Sequence, residues 1–236
     1  MPQLGSRSMG RPGVDRVSTT AFSSATIVAD PSPLAGRWDA RLKDVVGPIV
    51  AAVALVVLSP LFAAIAVAVK CSSPGPIIHR RYVLGGRGKP FEAFKFRTMV
   101  AEADAVLARS PQLRQEFLLK QKLTDDPRTT GLGRFLRKYS LDELPQLINV
   151  VRGQMWLIGP RMISPEELER YGPHASRLMA VKPGMTGLWQ VSGRQTTTYA
   201  RRVELDMQYL NEWTLWLDLK ILFRTFLVVL GGRGAY

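Results

Sequence analysis

Lys43–Lys70 reads KDVVGPIVAAVALVVLSPLFAAIAVAVK, and its interior from Val45 to Val69 carries no charged residue. Wound as a helix, such a run is long enough to reach across the hydrocarbon core of a bilayer. Two features complicate a simple span. Arg37, Arg41 and Lys43 precede the run, while Lys70, Arg80, Arg81, Arg87 and Lys89 follow it. Basic flanks favour the cytoplasmic side, and here both ends have one. Ser59-Pro60 interrupts the run. Proline lacks a backbone donor and crowds the carbonyl four residues earlier, and a serine hydroxyl can satisfy a polar group freed in lipid. Two geometries fit: a proline-kinked transmembrane helix, or a re-entrant segment that bends at Ser59-Pro60 and returns to the same face.

Working outward, residues 1–36 are rich in Ser, Pro, Gly, Thr and Arg without sustained periodicity, which predicts a disordered tail and no secretory signal. Downstream, Ile77–Val83 and Pro90–Arg97 flank the glycine-bearing connection Leu84–Lys89, the pattern of a β-hairpin. Alternation along the second strand places Lys95 and Arg97 on one face, open to phosphate, and Phe94 and Phe96 on the other. Ala101–Lys120 reads as helix interrupted at Ser110-Pro111. Gly85–Gly88 and Gly131–Gly133 match no nucleotide-binding fingerprint and read as turns. The fold class expected is mainly α with a small β-hairpin, an α+β arrangement. It divides into the tail, the basic flank and membrane segment over 37–72, and a membrane-associated cytoplasmic catalytic domain over 73–236.

The 236 residues hold 32 Lys and Arg against 19 Asp and Glu, a net charge of +13, so anionic partners are expected: nucleic acid, lipid surfaces or phosphorylated substrates. No zinc module or aromatic–basic RNA motif supports the first of these. The single cysteine, Cys71, excludes an internal disulfide, and the isolated His79 and His174 offer no Cys/His metal cluster. Leu215–Leu230 is strongly apolar with Asp218, Lys220 and Arg224 interspersed. Trp189, Trp213 and Trp216 are candidates for a membrane interface, although a core helix fits Leu215–Leu230 as well.

Ser140-Leu141-Asp142-Glu143 has the form of a helix capping box, with Ser140 as cap and Glu143 at the third helical position. At a helix start the exposed amides favour negative charge, so both carboxylates are expected to stay ionised. An ionised aspartate can act as a nucleophile, and a divalent metal bound by these hard oxygen ligands would shield phosphates. Arg128, Arg134, Arg137 and Lys138 lie just upstream, the last three on one helical face, suited to a diphosphate. A cap with ordinary surface ion pairs explains the same residues.

The ordered motifs resolve the choice. Lys43-Asp44, Ser59-Pro60, Ser73–Pro76, Lys95–Met99, Asp126–Arg128, Gly133–Arg137, Ser140–Gln146, Gly159–Arg161, Lys182–Gln190 and Gly232–Tyr236 resemble, in order, the motifs of the bacterial sugar transferase family. These are monotopic polyprenyl-phosphate hexose-1-phosphate transferases that prime exopolysaccharide, capsule and O-antigen synthesis, and the resemblance is to their short form. It implies a re-entrant helix–break–helix membrane segment with amphipathic interfacial helices, at the cytoplasmic face of the bacterial inner membrane. Asp142 matches the family's nucleophile, and Glu143 its metal-associated partner with Mg²⁺ as the metal. Lys95 and Arg137 match phosphate-associated positions, and Arg161 a nucleotide-sugar motif. The implied reaction is ping-pong transfer from a UDP-sugar, with galactose or glucose favoured and N-acetylhexosamine open, to undecaprenyl phosphate. A non-catalytic membrane scaffold is the alternative. Membrane lipids are further partners, nucleic acid is not, and the resemblance leaves room for a homodimer without setting an oligomeric state. One departure is Met162, where the family commonly has a second proline after Pro160-Arg161, and it bears on the geometry of that loop.

Overall fold

The computed structural model of the chain describes residues 38–120, 123, 126–193 and 197–231. The tail expected over 1–36, Arg37 and the terminal Gly232–Tyr236 motif lie outside the described residues. The apolar run forms two helices, α1 (Trp38–Val57) and α2 (Ser59–Ser72), bent by 66° at Leu58. The break has a local cause. Pro60 has no N–H for the carbonyl of Val56, and the Ser59 hydroxyl donates to that oxygen instead at 2.8 Å. Among the described residues no single helix is long and apolar enough to cross a membrane.

One stripe of α1 faces inward: Ala40, Lys43, Gly47 and Ala51 are buried at helical spacing. Ala51 packs with Leu147 and Val150 of α6 (Gln146–Val151), and Ile65 and Val69 of α2 pack with Phe96 and Leu136. The opposite stripe, Trp38, Leu42, Val45, Ile49, Val53 and Val56, is exposed. Its continuity exceeds the scattered apolar surface normal in a soluble chain.

The hairpin forms as expected from β1 (Ile78–Leu84) and β2 (Pro90–Phe96), antiparallel, with His79 opposite Lys95 and Val83 opposite Phe91. Residues directly opposite share a face. The face of Val83, Phe91 and Ala93 therefore enters the core under α1, and Lys95 extends that face towards the dyad. Two short helices, α3 (Ala103–Ala108) and α4 (Pro111–Lys120), follow with the expected interruption at Ser110-Pro111.

Gly131–Gly133 is not a turn but the first turn of α5 (Gly131–Lys138), capped by the Thr130 hydroxyl, which accepts from the Gly133 amide at 2.9 Å. A Cβ at Gly133 would lie 2.0 Å from the carbonyl oxygen of Thr98, so only glycine lets α5 approach so closely.

A second sheet, absent from the sequence expectation, pairs β3 (Trp156–Ile158) with β4 (Gly184–Thr186) in parallel. Three residues per strand are too few for alternation to register. Here too glycine is a packing requirement, since a Cβ at Gly184 would sit 2.1 Å from the Gly159 nitrogen. The C-terminal part, α7 (Ala175–Met179), α8 (Tyr199–Glu212) and α9 (Leu215–Gly231), builds the largest core cluster around Tyr171, Tyr209, Leu210 and Trp213.

Of the three tryptophans expected at an interface, only Trp216 is exposed. Trp213 is 2% exposed and Trp189 lies beneath Arg202. In α9, Asp218 and Ile221 are buried while Trp216, Leu219, Phe223, Phe226 and Leu230 form an exposed apolar stripe.

Candidate active site

The capping box does not form at Ser140. That residue adopts a left-handed conformation, φ 54°, makes no side-chain cap bond, and leads into a single 3₁₀ turn, Leu141–Glu143. A non-glycine residue held there stores strain of order 1 kcal/mol beside the dyad. A complete capping box occurs elsewhere, at Ser164 and Glu167.

Glu143 is instead gripped by two cations. Arg161 donates from Nη1 to Oε2 at 3.0 Å and from Nη2 to Oε1 at 2.6 Å, while Lys95 Nζ donates to Oε1 at 2.6 Å. All three side chains are less than a fifth exposed. Forked guanidinium–carboxylate pairing of this kind is among the strongest of protein hydrogen bonds. Burial alone would raise the Glu143 carboxyl, but Arg161 and Lys95 outweigh it and hold it well below the usual carboxylate range.

Asp142 is its opposite. Its side chain is buried and no described residue donates a hydrogen bond to its carboxyl. Burial, and then the adjacent Glu143 charge, raise Asp142 above its ordinary value, against the pull of Lys95, Arg137 and Arg161. The expectation that both groups are simply favoured as anions by a helix start therefore needs correction. Tertiary cations hold Glu143 ionised, and Asp142 is the desolvated, unclaimed carboxylate.

Several elements converge to build this arrangement. Lys95 arrives on the inner face of β2. Arg161 follows β3 on a loop pinned by a bridge from Arg161 to Gly184 and another from Ile163 to Leu84. Met162, the departure from the family pattern, is 1% exposed in the core beneath α1, so burial anchors the loop where a proline ring would have restricted it. Arg137 leaves α5 to donate to the hydroxyls of Thr98 at 2.9 Å and Thr129 at 3.3 Å, with its charge felt at Asp142.

The helix that follows the dyad turn, α6, is tied to β2 by Asn149. Its Oδ1 accepts from the Phe94 amide at 3.0 Å, and its Nδ2 donates to the Glu92 carbonyl at 2.7 Å, extending the free edge of the strand as a neighbouring strand would.

The other expected phosphate ligands are engaged elsewhere. Arg97 is buried and donates to the carbonyls of Val69, Ser73 and Pro76, locking the hairpin to the end of α2. It does not share the open phosphate face proposed with Lys95. Arg128 is buried in a forked pair with Asp126, at 2.8 and 2.7 Å. Arg134 and Lys138 diverge from Arg137: the first donates to the Thr129 carbonyl and the second lies over the Tyr139 ring. The structure thus gathers Lys95, Arg137 and Arg161 around Asp142 and Glu143, and places Arg97, Arg128 and Arg134 in other contacts.

Sequence reasoning missed Asn149 and read His79 only as an isolated histidine. A polar residue inside the apolar run Leu147–Val151 was the available signal for Asn149. His79 stands opposite Lys95. Burial, then the charges of Lys95, Arg81 and Arg137, lower its pKa.

The described residues contain no group of three or more His, Cys, Asp or Glu side chains arranged to hold a metal. Two adjacent carboxylates nonetheless suit Mg²⁺, which is commonly bound by one or two protein carboxylates together with substrate phosphates. Asp142 is open to it, and Glu143 Oε2 accepts only one hydrogen bond. The residues present therefore fit such a metal.

The chain is similar to known proteins over most of its length. A family model described as bacterial sugar transferase matches residues 38–232. The exopolysaccharide production protein ExoY of Sinorhizobium fredii is 42% identical over 225 residues, covering 94% of this chain and 98% of that protein. The undecaprenyl-phosphate galactose phosphotransferase of Salmonella typhimurium is 51% identical over 69% of this chain and 35% of its own length. The UDP-glucose:undecaprenyl-phosphate glucose-1-phosphate transferase of Escherichia coli is 40% identical over 87% of this chain and 43% of its own length. The chain thus spans less than half of these last two proteins.

Proposed function

The chain belongs to the bacterial sugar transferase family, and we propose that it transfers hexose 1-phosphate from a UDP-sugar to undecaprenyl phosphate through a phosphosugar ester of Asp142. The observation that carries this reading is the division of the dyad, with Glu143 clamped by Lys95 and Arg161 and Asp142 buried beside them with no described donor. A carboxylate stripped of hydrogen bonds is a better nucleophile than a solvated one. The surrounding cations reduce the repulsion that a diphosphate would exert on it.

In the first step an Asp142 oxygen attacks the sugar-bearing phosphorus, an acyl-phosphate bond forms, and the bond to UMP breaks, so that UMP leaves with the electron pair. In the second, a phosphate oxygen of the polyprenyl acceptor attacks the same phosphorus and the Asp142 carboxylate departs. Arg161 and Lys95 hold Glu143 in place and present N–H groups to the phosphoryl oxygens, and Arg137, positioned from α5 by Thr98 and Thr129, presents its own N–H groups to the same oxygens. Mg²⁺, when bound by the dyad and substrate phosphates, would neutralise charge on the diphosphate. The names of the relatives favour galactose or glucose as the sugar.

We also read α1 and α2 as a re-entrant segment at the cytoplasmic face of the inner membrane. The 66° bend and the exposed apolar stripes of α1 and α9 support this. With both ends of the segment on one face, a cysteine introduced near Arg80 is labelled from the cytoplasm and not from outside the cell; outside labelling refutes the topology.

The test of the chemistry is UMP release from a panel of UDP-sugars by the purified chain with Mg²⁺ and polyprenyl phosphate. Asp142→Asn should reduce it by at least about 10³-fold, as loss of a nucleophile does. Full activity in that variant would remove Asp142 from the reaction.

A further inference from the structure

A cleft of about 560 Å³ opens between the start of α1, the hairpin connection Gly85–Lys89 and the segment leading into β4. None of Asp142, Glu143, Lys95, Arg137 or Arg161 lines it, so it is separate from the dyad. Its size lies within the range of small-ligand sites.

The charge on its walls is one-sided. Arg41, Arg87, Lys89 and Lys182 line it with a single carboxylate, Asp44. That carboxylate is already committed to Lys182 at 2.6 Å and to the Trp156 ring nitrogen at 2.8 Å. Arg41, Arg87 and Lys89 are exposed and have no ion-pair partner among the described residues. The turn that displays two of them is rigid: the Gly85 amide donates to the Lys89 carbonyl at 2.8 Å, and Arg87 is held in a left-handed conformation, φ 59°.

Position narrows the ligand. The α1 wall of the cleft continues directly into the exposed stripe of Trp38, Leu42, Val45 and Ile49. A molecule with its anionic end among the three unpaired cations could lay an apolar tail along that stripe, and interfacial tryptophan is suited to the junction. A soluble anion would use the cations but not the stripe.

We propose that this cleft binds the phosphate headgroup of an anionic bilayer phospholipid and so seats the start of α1 at the membrane surface. The proposal rests on the membrane reading above and adds a lipid-selective site to it. The same phosphate chemistry is offered by the polyprenyl acceptor and by free phosphate, and the test separates these sources.

The full chain in detergent is titrated calorimetrically with short-chain phosphatidylglycerol, phosphatidylcholine, polyprenyl phosphate and inorganic phosphate. Phosphatidylglycerol should bind in preference to the others. The double variant Arg87→Gln/Lys89→Gln should weaken it about 25-fold, from roughly fivefold per basic residue. Arg109→Gln/Arg114→Gln, outside the cleft, should leave it unchanged, as should both double variants the UMP release of the wild type.

Equal weakening by the two double variants would mean diffuse surface charge and overturn the site. Equal or tighter binding of polyprenyl phosphate or inorganic phosphate would overturn the assignment to a bilayer lipid. Loss of UMP release on Arg87→Gln/Lys89→Gln would move the cleft into substrate handling and overturn it likewise. Partition into purely phosphatidylcholine vesicles tests the membrane reading by itself. Failure there removes that reading, whereas retained partition without phosphatidylglycerol preference removes only the cleft proposal.

Discussion

Replacing Asp218 by Asn should destabilise the protein by about 3 kcal/mol, because it strands a buried ammonium. Lys43 Nζ lies 2.8 Å from Asp218 Oδ2, with the two side chains 7% and 8% exposed. Removing one partner of such a pair costs about 3–5 kcal/mol. The lower end applies here for two reasons. Lys43 keeps its bonds to the Ile158 carbonyl at 2.9 Å and the Tyr209 hydroxyl at 2.8 Å, and it remains over the rings of Trp156, Tyr209 and Trp213. Burial already lowers its pKa, against the pull of Asp218, so the stranded group can shed its proton.

At roughly 2–4 °C per kcal/mol for a chain of this size, the midpoint should fall by about 6–12 °C. Tryptophan fluorescence during thermal unfolding in detergent reads this directly, since Trp156 and Trp213 flank the pair. A group whose folded pKa is depressed in its cationic form gains stability as pH rises, so the deficit of Asp218→Asn should narrow towards alkaline pH. The double variant Lys43→Met/Asp218→Leu removes both charges but also takes the acceptor from the buried Tyr209 hydroxyl and Trp213 ring nitrogen. It should therefore recover only part of the loss and still be more stable than the single variant. A loss below about 1 kcal/mol in the single variant, or a double variant no better than the single, refutes the reasoning.

Arg161→Lys keeps the charge but not the fork on Glu143, and UMP release should fall about 10- to 100-fold in kcat/KM, the worth of one charge-assisted hydrogen bond; an unchanged value would mean that the pairing is incidental. Burial raises Asp206 to about 6, with Arg202 and Tyr171 opposing it. A raised carboxyl contributes stability below its unfolded value of 3.8 that is lost as pH climbs through about 6, so wild type should lose about 2 kcal/mol from this group between pH 4 and 7. Thermal midpoints of Asp206→Asn should lack that loss, and parallel profiles would contradict it. Gly133→Ala should cost at least 1–3 kcal/mol, because its Cβ meets the Thr98 carbonyl oxygen. Gly131→Ala, whose Cβ meets only Arg134 at 3.9 Å, should be neutral or slightly stabilising in the same melts.

Features whose causes lie within a few residues were legible in the sequence. The break between α1 and α2 could be read at Ser59-Pro60 because the missing donor, the freed Val56 carbonyl and the rescuing hydroxyl sit within five consecutive positions. The hairpin and the interruption at Pro111 were legible for the same reason, and ordered motifs pointed to the dyad. The capping box at Ser140 failed because a stronger partner set lay far off in the chain. Glu143 is taken by Lys95, 48 residues away, and Arg161, 18 residues away, and a local cap cannot compete with two buried cations. Arg97 and Lys95 look equivalent by alternation, yet one anchors α2 and the other reaches the dyad. The charge of Asp218 within an apolar helix has its explanation in Lys43 at the other end of the described fold.

The sequence by itself therefore determined the bent helix pair and the hairpin, which follow from short-range hydrogen bonding, and its motif order singled out the two carboxylates as candidates. Only the tertiary structure decided which cations serve the dyad, why Asp142 and Glu143 differ, and where unpaired charge gathers in a cleft beside α1. Burial and charge pairing act across space, and no spacing along the chain reports which distant side chains will share a low-dielectric pocket.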